Sequence, residues 1–74
     1  MNNARRKAIS KAQALLAEAH ALLDAAAEEE QEAFDNMPEG LQSSEKGERT
    51  SGYAERLREM ADTIDEFAND DFSE

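Results

Sequence analysis

Phe34-Asp35-Asn36-Met37-Pro38-Glu39-Gly40-Leu41-Gln42-Ser43-Ser44-Glu45 is the stretch that decides how this chain folds. Pro38 disfavours helical geometry at Met37, so a helix arriving from the N-terminal side ends there. Gly40 permits a positive φ. Ser43 or Ser44 can cap a following helix, and an acidic residue such as Glu45 is welcome in its first turn. The break Asn36-Met37-Pro38-Glu39-Gly40 therefore separates two elements. Met37 and Leu41, apolar within the turn, are expected to fold down over the Phe34 end.

Upstream, a helix is expected from about residue 3 to about 35, in a stretch of strong helix formers dominated by alanine. Ile9, Leu16 and Leu23 recur every seven residues, and Ala12, Ala19, Ala26 and Ala33 recur with the same period offset by three. That is an a/d heptad pattern whose small d residues let a second helix approach closely. After a connector of about residues 36–43, the second helix is expected over about 44–69, followed by an acidic tail, 70–74. Tyr53, Leu57, Met60, Ile64 and Phe67 supply its heptad seam. Ser44 would cap a helix that tolerates Gly47 and Gly52 at about 1 kcal/mol each. Thr50 or Ser51 would cap a shorter one. The expected fold is all-α, a single-domain, coiled-coil-like antiparallel two-helix hairpin.

Charge selects the antiparallel direction. Arg5, Arg6, Lys7 and Lys11 open the chain, while all 18 acidic residues lie from Glu18 onward. Cations at the start of the first helix and Glu28, Glu29, Glu30 and Glu32 near its end both oppose the helix dipole. Antiparallel packing sets the basic start beside Asp62, Asp65, Glu66, Asp70 and Asp71, with Glu74 beyond them. The expected register places Leu16 opposite Phe67, Ala19 opposite Ile64, Leu23 opposite Met60 and Ala26 opposite Leu57. Each layer then pairs a larger side chain with a smaller or flexible one. Glu30, a charge within the seam, falls opposite Tyr53, whose phenol can donate to it.

Ala8, Leu15 and Leu22 form a second apolar stripe that a lone hairpin leaves exposed. Two hairpins packed together would bury it as a four-helix bundle. A chain of 74 residues struggles to bury a sufficient core alone. With no cysteine, it has no disulfide to help. A homodimer is expected.

Mean hydropathy is −0.86 and formal charge −10. Such a charge repels nucleic acid and suits a basic partner surface. No stretch is apolar enough to span a bilayer, and no signal-peptide pattern opens the chain, so a soluble protein of the bacterial cytosol is expected. His20, beside the first seam, is expected to be a solvated flank. The glutamates at 28–32 lack the Glu-x-x-His spacing of bundle metal sites, and the helix 2 acids do not match a calcium loop. No phosphate loop or nucleophile–base pair is legible. The expectation is a non-enzyme without metal or cofactor.

The run Phe34-Asp35-Asn36-Met37-Pro38-Glu39-Gly40-Leu41-Gln42, with Ser44-Glu45 and an amphipathic acidic helix after it, resembles a group of small proteins encoded by bacteriophages and prophages. They share a connector of the type DN-[MI]-PE-[NG]-LQ-x-SE. The resemblance covers about the second half of the chain, and the segment Gly47 to Gly52 departs from the usual pattern, in which the acidic helix follows the serine directly. It implies a mobile-element origin and a helical hairpin, and carries over no catalytic residues. In that setting, Glu28, Glu29, Glu32, Glu55, Glu59, Asp62, Asp65 and Glu66 are expected to contact Lys or Arg on a host protein. An inhibitor of a restriction or CRISPR-type defence complex, an anti-CRISPR for instance, would work in this way. The rival expectation is a structural adaptor acting through Leu15, Leu22, Met37 and Leu41. A nucleic-acid regulator using Arg5-Arg6-Lys7 ranks last.

Overall fold

The computed structural model describes residues 1–72. They form helix α1 (Asn3–Asp35), a single-turn helix α2 (Glu39–Gln42) and helix α3 (Glu45–Ala68). The Cα framework is a rod of 58 × 13 × 12 Å. Asn2 caps α1, its side chain accepting from the Arg5 N–H at 2.9 Å. The helix ends at Asn36, as the following Met37-Pro38 step requires.

Contacts between the long helices run in opposite directions along the chain. Gln13 donates its side-chain N–H to the carbonyls of Phe67 (3.2 Å) and Asp70 (2.8 Å). His20 Nδ1 lies 2.9 Å from the Ala61 carbonyl, and Arg58 donates to the Gln31 side chain at 3.2 Å. The hairpin is antiparallel, and the Gln13 and His20 contacts agree with the expected register to within about one turn, while the two long side chains of Gln31 and Arg58 meet across a larger offset of about 9 Å. The basic start and acidic end also meet: Arg6, Ser10, Gln13, Asp70, Asp71 and Phe72 line one cleft of about 270 Å³. Glu74 lies outside the described residues.

The connector is more ordered than a turn. Leu41 and Gln42 donate their N–H groups to the Pro38 carbonyl at 2.8 and 3.1 Å, closing α2. Gln42 turns its side chain back to the Phe34 carbonyl at 3.1 Å, a second donor to an oxygen that also accepts from the Met37 N–H at 3.1 Å. Ser44, rather than Thr50 or Ser51, caps α3. Its hydroxyl accepts from the Gly47 N–H at 3.3 Å and donates to the Leu41 carbonyl. Gly47 is buried because α3 presses here against α2. A Cβ at this position would stand 2.7 Å from the Gln42 carbonyl carbon, and closer still to the carbonyl oxygens of Leu41 and Gln42. Met37 is half-buried, but Leu41 is 50% exposed and does not fold over the Phe34 end. Its backbone is used in the corner while its side chain points to solvent.

The axial register agrees with expectation, but the rotation of α3 does not. The buried side is Gly47, Ala54 and Ala61, with Thr50, Leu57, Ile64 and Ala68 half-buried beside them. Tyr53, Met60 and Phe67, expected in the seam, are 51%, 50% and 57% exposed. The two heptad frames share Leu57 and Ile64, so periodicity alone does not separate them. Gly47 does. It must face the α2 carbonyls, and Ala54, Ala61 and Ala68 follow it at multiples of seven residues on the same face.

α1 is rotated to match. Ala27 is fully buried, and Ile9, Gln13, Leu16, His20, Leu23, Glu30 and Phe34 are half-buried around it. Ala19 and Ala26 drop to the flank, and Ala12 and Ala33 are exposed. His20 is therefore a seam residue, not a solvated flank. A carbonyl only accepts, so Nδ1 carries the proton. The buried positions are all small (Ala27, Gly47, Ala54 and Ala61), and among the described residues no large side chain is fully buried.

Candidate functional site

Antiparallel packing brings equivalent flanks of the two helices to the same side. Gln31 and Arg58 each follow a buried alanine (Ala27 and Ala54) by four residues, and their hydrogen bond marks one side of the rod. The opposite flanks share the other side. There α1 presents Ala12, Ala19, Ala26 and Ala33, with Ala8, Leu15 and Leu22 at its outer edge. α3 presents Tyr53, Met60 and Phe67. Leu15 is 57% and Leu22 73% exposed. This side holds a groove of about 310 Å³ lined by Glu30, Tyr53, Arg56, Leu57 and Met60. Glu30 and Tyr53 meet here as expected, but among the described residues no hydrogen bond joins them.

The result is a mainly apolar side face along both helices, with Glu30 and Arg56 at its groove. The stripe Ala8, Leu15 and Leu22 anticipated only its edge. Its larger part comes from Tyr53, Met60 and Phe67, which became available when α3 turned its alanines inward. Isolated exposed leucines need no explanation, but a contiguous face rimmed by charge does.

Carboxylates occupy the outside of the rod. On α3, positions 45, 48, 52, 55, 59, 62 and 66 fall at alternating three- and four-residue steps on the side opposite the seam. Six of the seven are acidic, namely Glu45, Glu48, Glu55, Glu59, Asp62 and Glu66, and all six are exposed. The strip spans about 32 Å at 1.5 Å per residue. Glu45 and Glu48 belong to it although sequence reasoning did not single them out. The rule that would have found them is the helical period extended back to the Ser44 cap.

The expected acidic set is divided by the structure. Glu55, Glu59, Asp62 and Glu66 share the α3 strip. Glu28 and Glu32 lie on the outside of α1, which faces away from α3. Glu29 lies one heptad beyond Leu22, on the edge of the apolar side. Asp65 sits on the Gln31–Arg58 side, where its carboxylate and its carbonyl both accept from the Asn69 side chain, at 3.0 and 2.9 Å. Six of these eight acids lie on the outsides of the two helices, facing opposite ways, and Glu29 and Asp65 lie on neither, so the set is not one surface.

Compared with protein-family models, curated proteins and solved structures, the chain matches none. Its function has to be argued from these faces. Among the described residues no three His, Asp or Glu side chains are grouped to hold a metal ion, and no helix is long and apolar enough to cross a membrane. Asn36, Met37, Pro38, Glu39, Gly40 and Leu41 form the corner. The residues that hold it, Gln42, Ser44 and Gly47, are committed to backbone contacts within the chain.

Proposed function

We propose that this protein is a non-catalytic interaction module. Its apolar side assembles with protein, and the α3 acidic strip engages a basic partner surface. The observation that carries the reading is the separation of the two faces: Tyr53, Met60, Phe67, Leu15 and Leu22 on one side, and six carboxylates on the outside of α3. Pairing of two hairpins into a four-helix bundle belongs to the same proposal.

The finer reading is a phage- or prophage-derived inhibitor that occupies a nucleic-acid groove of a host restriction or CRISPR-type complex. The acidic strip favours it, and so does the phage-type connector. Charge density sets its scale. Six carboxylates over about 32 Å give roughly one per 5–6 Å, against a phosphate every ~3.4 Å of axis on each DNA strand. The strip is thus a thinner charge line than DNA, and shape and apolar contact must supply part of the affinity.

Pull-down from a bacterial lysate at two salt concentrations tests the proposal, using wild type, Met60→Glu and the triple variant Glu55→Gln, Glu59→Gln, Asp62→Asn. A partner held by the strip is lost at high salt and lost by the triple variant, because screening weakens exposed charge pairs. Capture of the same proteins by all three versions at both salt concentrations refutes the role of both faces.

A further inference from the structure

We propose that the apolar side is covered by a second copy of this chain, with α1 of one hairpin lying against α3 of the other. The inference rests on the proposed pairing of two hairpins through this side, and goes on to fix their relative orientation and register.

Size complementarity is the first argument. Ala12, Ala19, Ala26 and Ala33 leave three gaps along α1, and Tyr53, Met60 and Phe67 are three bulky side chains at the same seven-residue pitch along α3. A two-fold axis parallel to the rod leaves heights unchanged, so residues level within one hairpin are level across the pair. The Gln13–Phe67 and His20–Ala61 contacts then fix the levels. Phe67 of one copy falls between Ala12 and Ala19 of the other, Met60 between Ala19 and Ala26, and Tyr53 between Ala26 and Ala33. That is knob-into-hole packing read from one chain alone.

A two-fold axis across the rod would set α3 on α3 and α1 on α1. Bulky side chains would then meet bulky ones and alanines would meet alanines, giving two seams of unequal width that cannot both close.

Area and rim charge agree. The paired length of α3, 24 residues, is about 36 Å long, and two helices side by side are about 20 Å wide. One face is therefore roughly 700 Å², near the ~800 Å² per partner of a stable interface. At the rim, Glu29 on the α1 edge comes level with Arg56 on the α3 edge of the other copy, an opposite-charge pair. The thin core of the single hairpin points the same way, since among the described residues no large side chain is fully buried.

The chain has no cysteine, so introduced ones report cleanly. Leu22→Cys lies on the outer edge of α1, and Thr63→Cys on the outer edge of α3 at nearly the same level. Within one hairpin the whole face separates them, too far for a disulfide. In the proposed pair they are adjacent. Each variant alone, and a refolded mixture of the two, are oxidised and weighed by mass spectrometry. A linked dimer of unlike chains, formed in the mixture and absent from either variant alone, is the expected result. Linkage of Thr63→Cys to itself overturns the arrangement. Native mass and sedimentation of the wild type should give a dimer, and Met60→Glu a helical monomer, since Met60 is half-exposed in the hairpin and its replacement leaves the seam intact. A wild type that stays monomeric at its highest soluble concentration overturns the second copy, even where lysate capture succeeds. Failed capture by an intact dimer overturns the partner reading alone.

Discussion

Replacing Gly47 by alanine should destabilise the hairpin, and the same change at Gly52, five residues later in the same helix, should stabilise it. Both glycines are helical, so alanine gains about 1 kcal/mol at either position from backbone propensity alone. Their surroundings reverse the sign at one of them. At Gly52 an added Cβ meets no heavy atom within 4 Å, and the gain is kept. At Gly47 it would stand 2.7 Å from the Gln42 carbonyl carbon and closer to two carbonyl oxygens. Those atoms cannot swing aside as a side chain would. They are held by the bonds of Leu41 and Gln42 to the Pro38 carbonyl, and of Ser44 to the Leu41 carbonyl. Relief requires α2 to move off α3. Overpacking of this kind costs about 1–3 kcal/mol, and the strained Ser44–Leu41 bonds cost about 1 kcal/mol more. Set against the propensity gain, Gly47→Ala should lose about 2 kcal/mol. At about 4–8 °C per kcal/mol for a domain of this size, Tm falls by roughly 8–16 °C for Gly47→Ala and rises by roughly 4–8 °C for Gly52→Ala. Thermal unfolding followed by circular dichroism, at matched protein concentration, measures both. Gly47→Ala as stable as Gly52→Ala would refute the close approach of α3 to α2, and with it the argument that Gly47 sets the rotation of α3.

Three further outcomes follow from the same contacts. Ser44→Ala removes the α3 cap and the bond to the Leu41 carbonyl, and should cost about 1–2 kcal/mol in urea unfolding; unchanged stability would return the start of α3 to Thr50 or Ser51. Gln42→Leu removes one of the two hydrogen bonds to the Phe34 carbonyl, leaving that from the Met37 N–H, and should cost about 1 kcal/mol, with hydrogen exchange rising at the α1 end but not at Asn2, and uniform exchange would show that the corner is not closed by this side chain. Ala61→Leu fills a position that is 1% exposed and should destabilise by about 1–3 kcal/mol, whereas Ala25→Leu on the exposed side of α1 should be nearly neutral; equal effects would mean the seam does not lie at Ala61.

The chain's local chemistry made several features legible in advance. Pro38 ends one helix and Ser44 starts another, and the seven-residue periods give two long amphipathic helices. The opposed charges of the two ends select the antiparallel direction, and the Arg6–Asp71 cleft is where they meet. These features depend on neighbours in sequence or on charge summed over whole ends, and both can be read without coordinates. The outer strip was partly legible, at Glu55, Glu59, Asp62 and Glu66. Glu45 and Glu48 were missed because the start of the second helix was left open.

Rotation about the helix axes was decided only by the tertiary structure. Tyr53, Met60 and Phe67 satisfy the heptad as well as Ala54, Ala61 and Ala68 do, and hydrophobic size favours the larger set. The close approach of Gly47 to the Leu41 and Gln42 carbonyls turns the alanines inward and the bulky residues out. A period specifies which residues share a face. It takes a contact with another part of the chain to specify which face is buried. That contact moved His20 into the seam and gave the hairpin its apolar side.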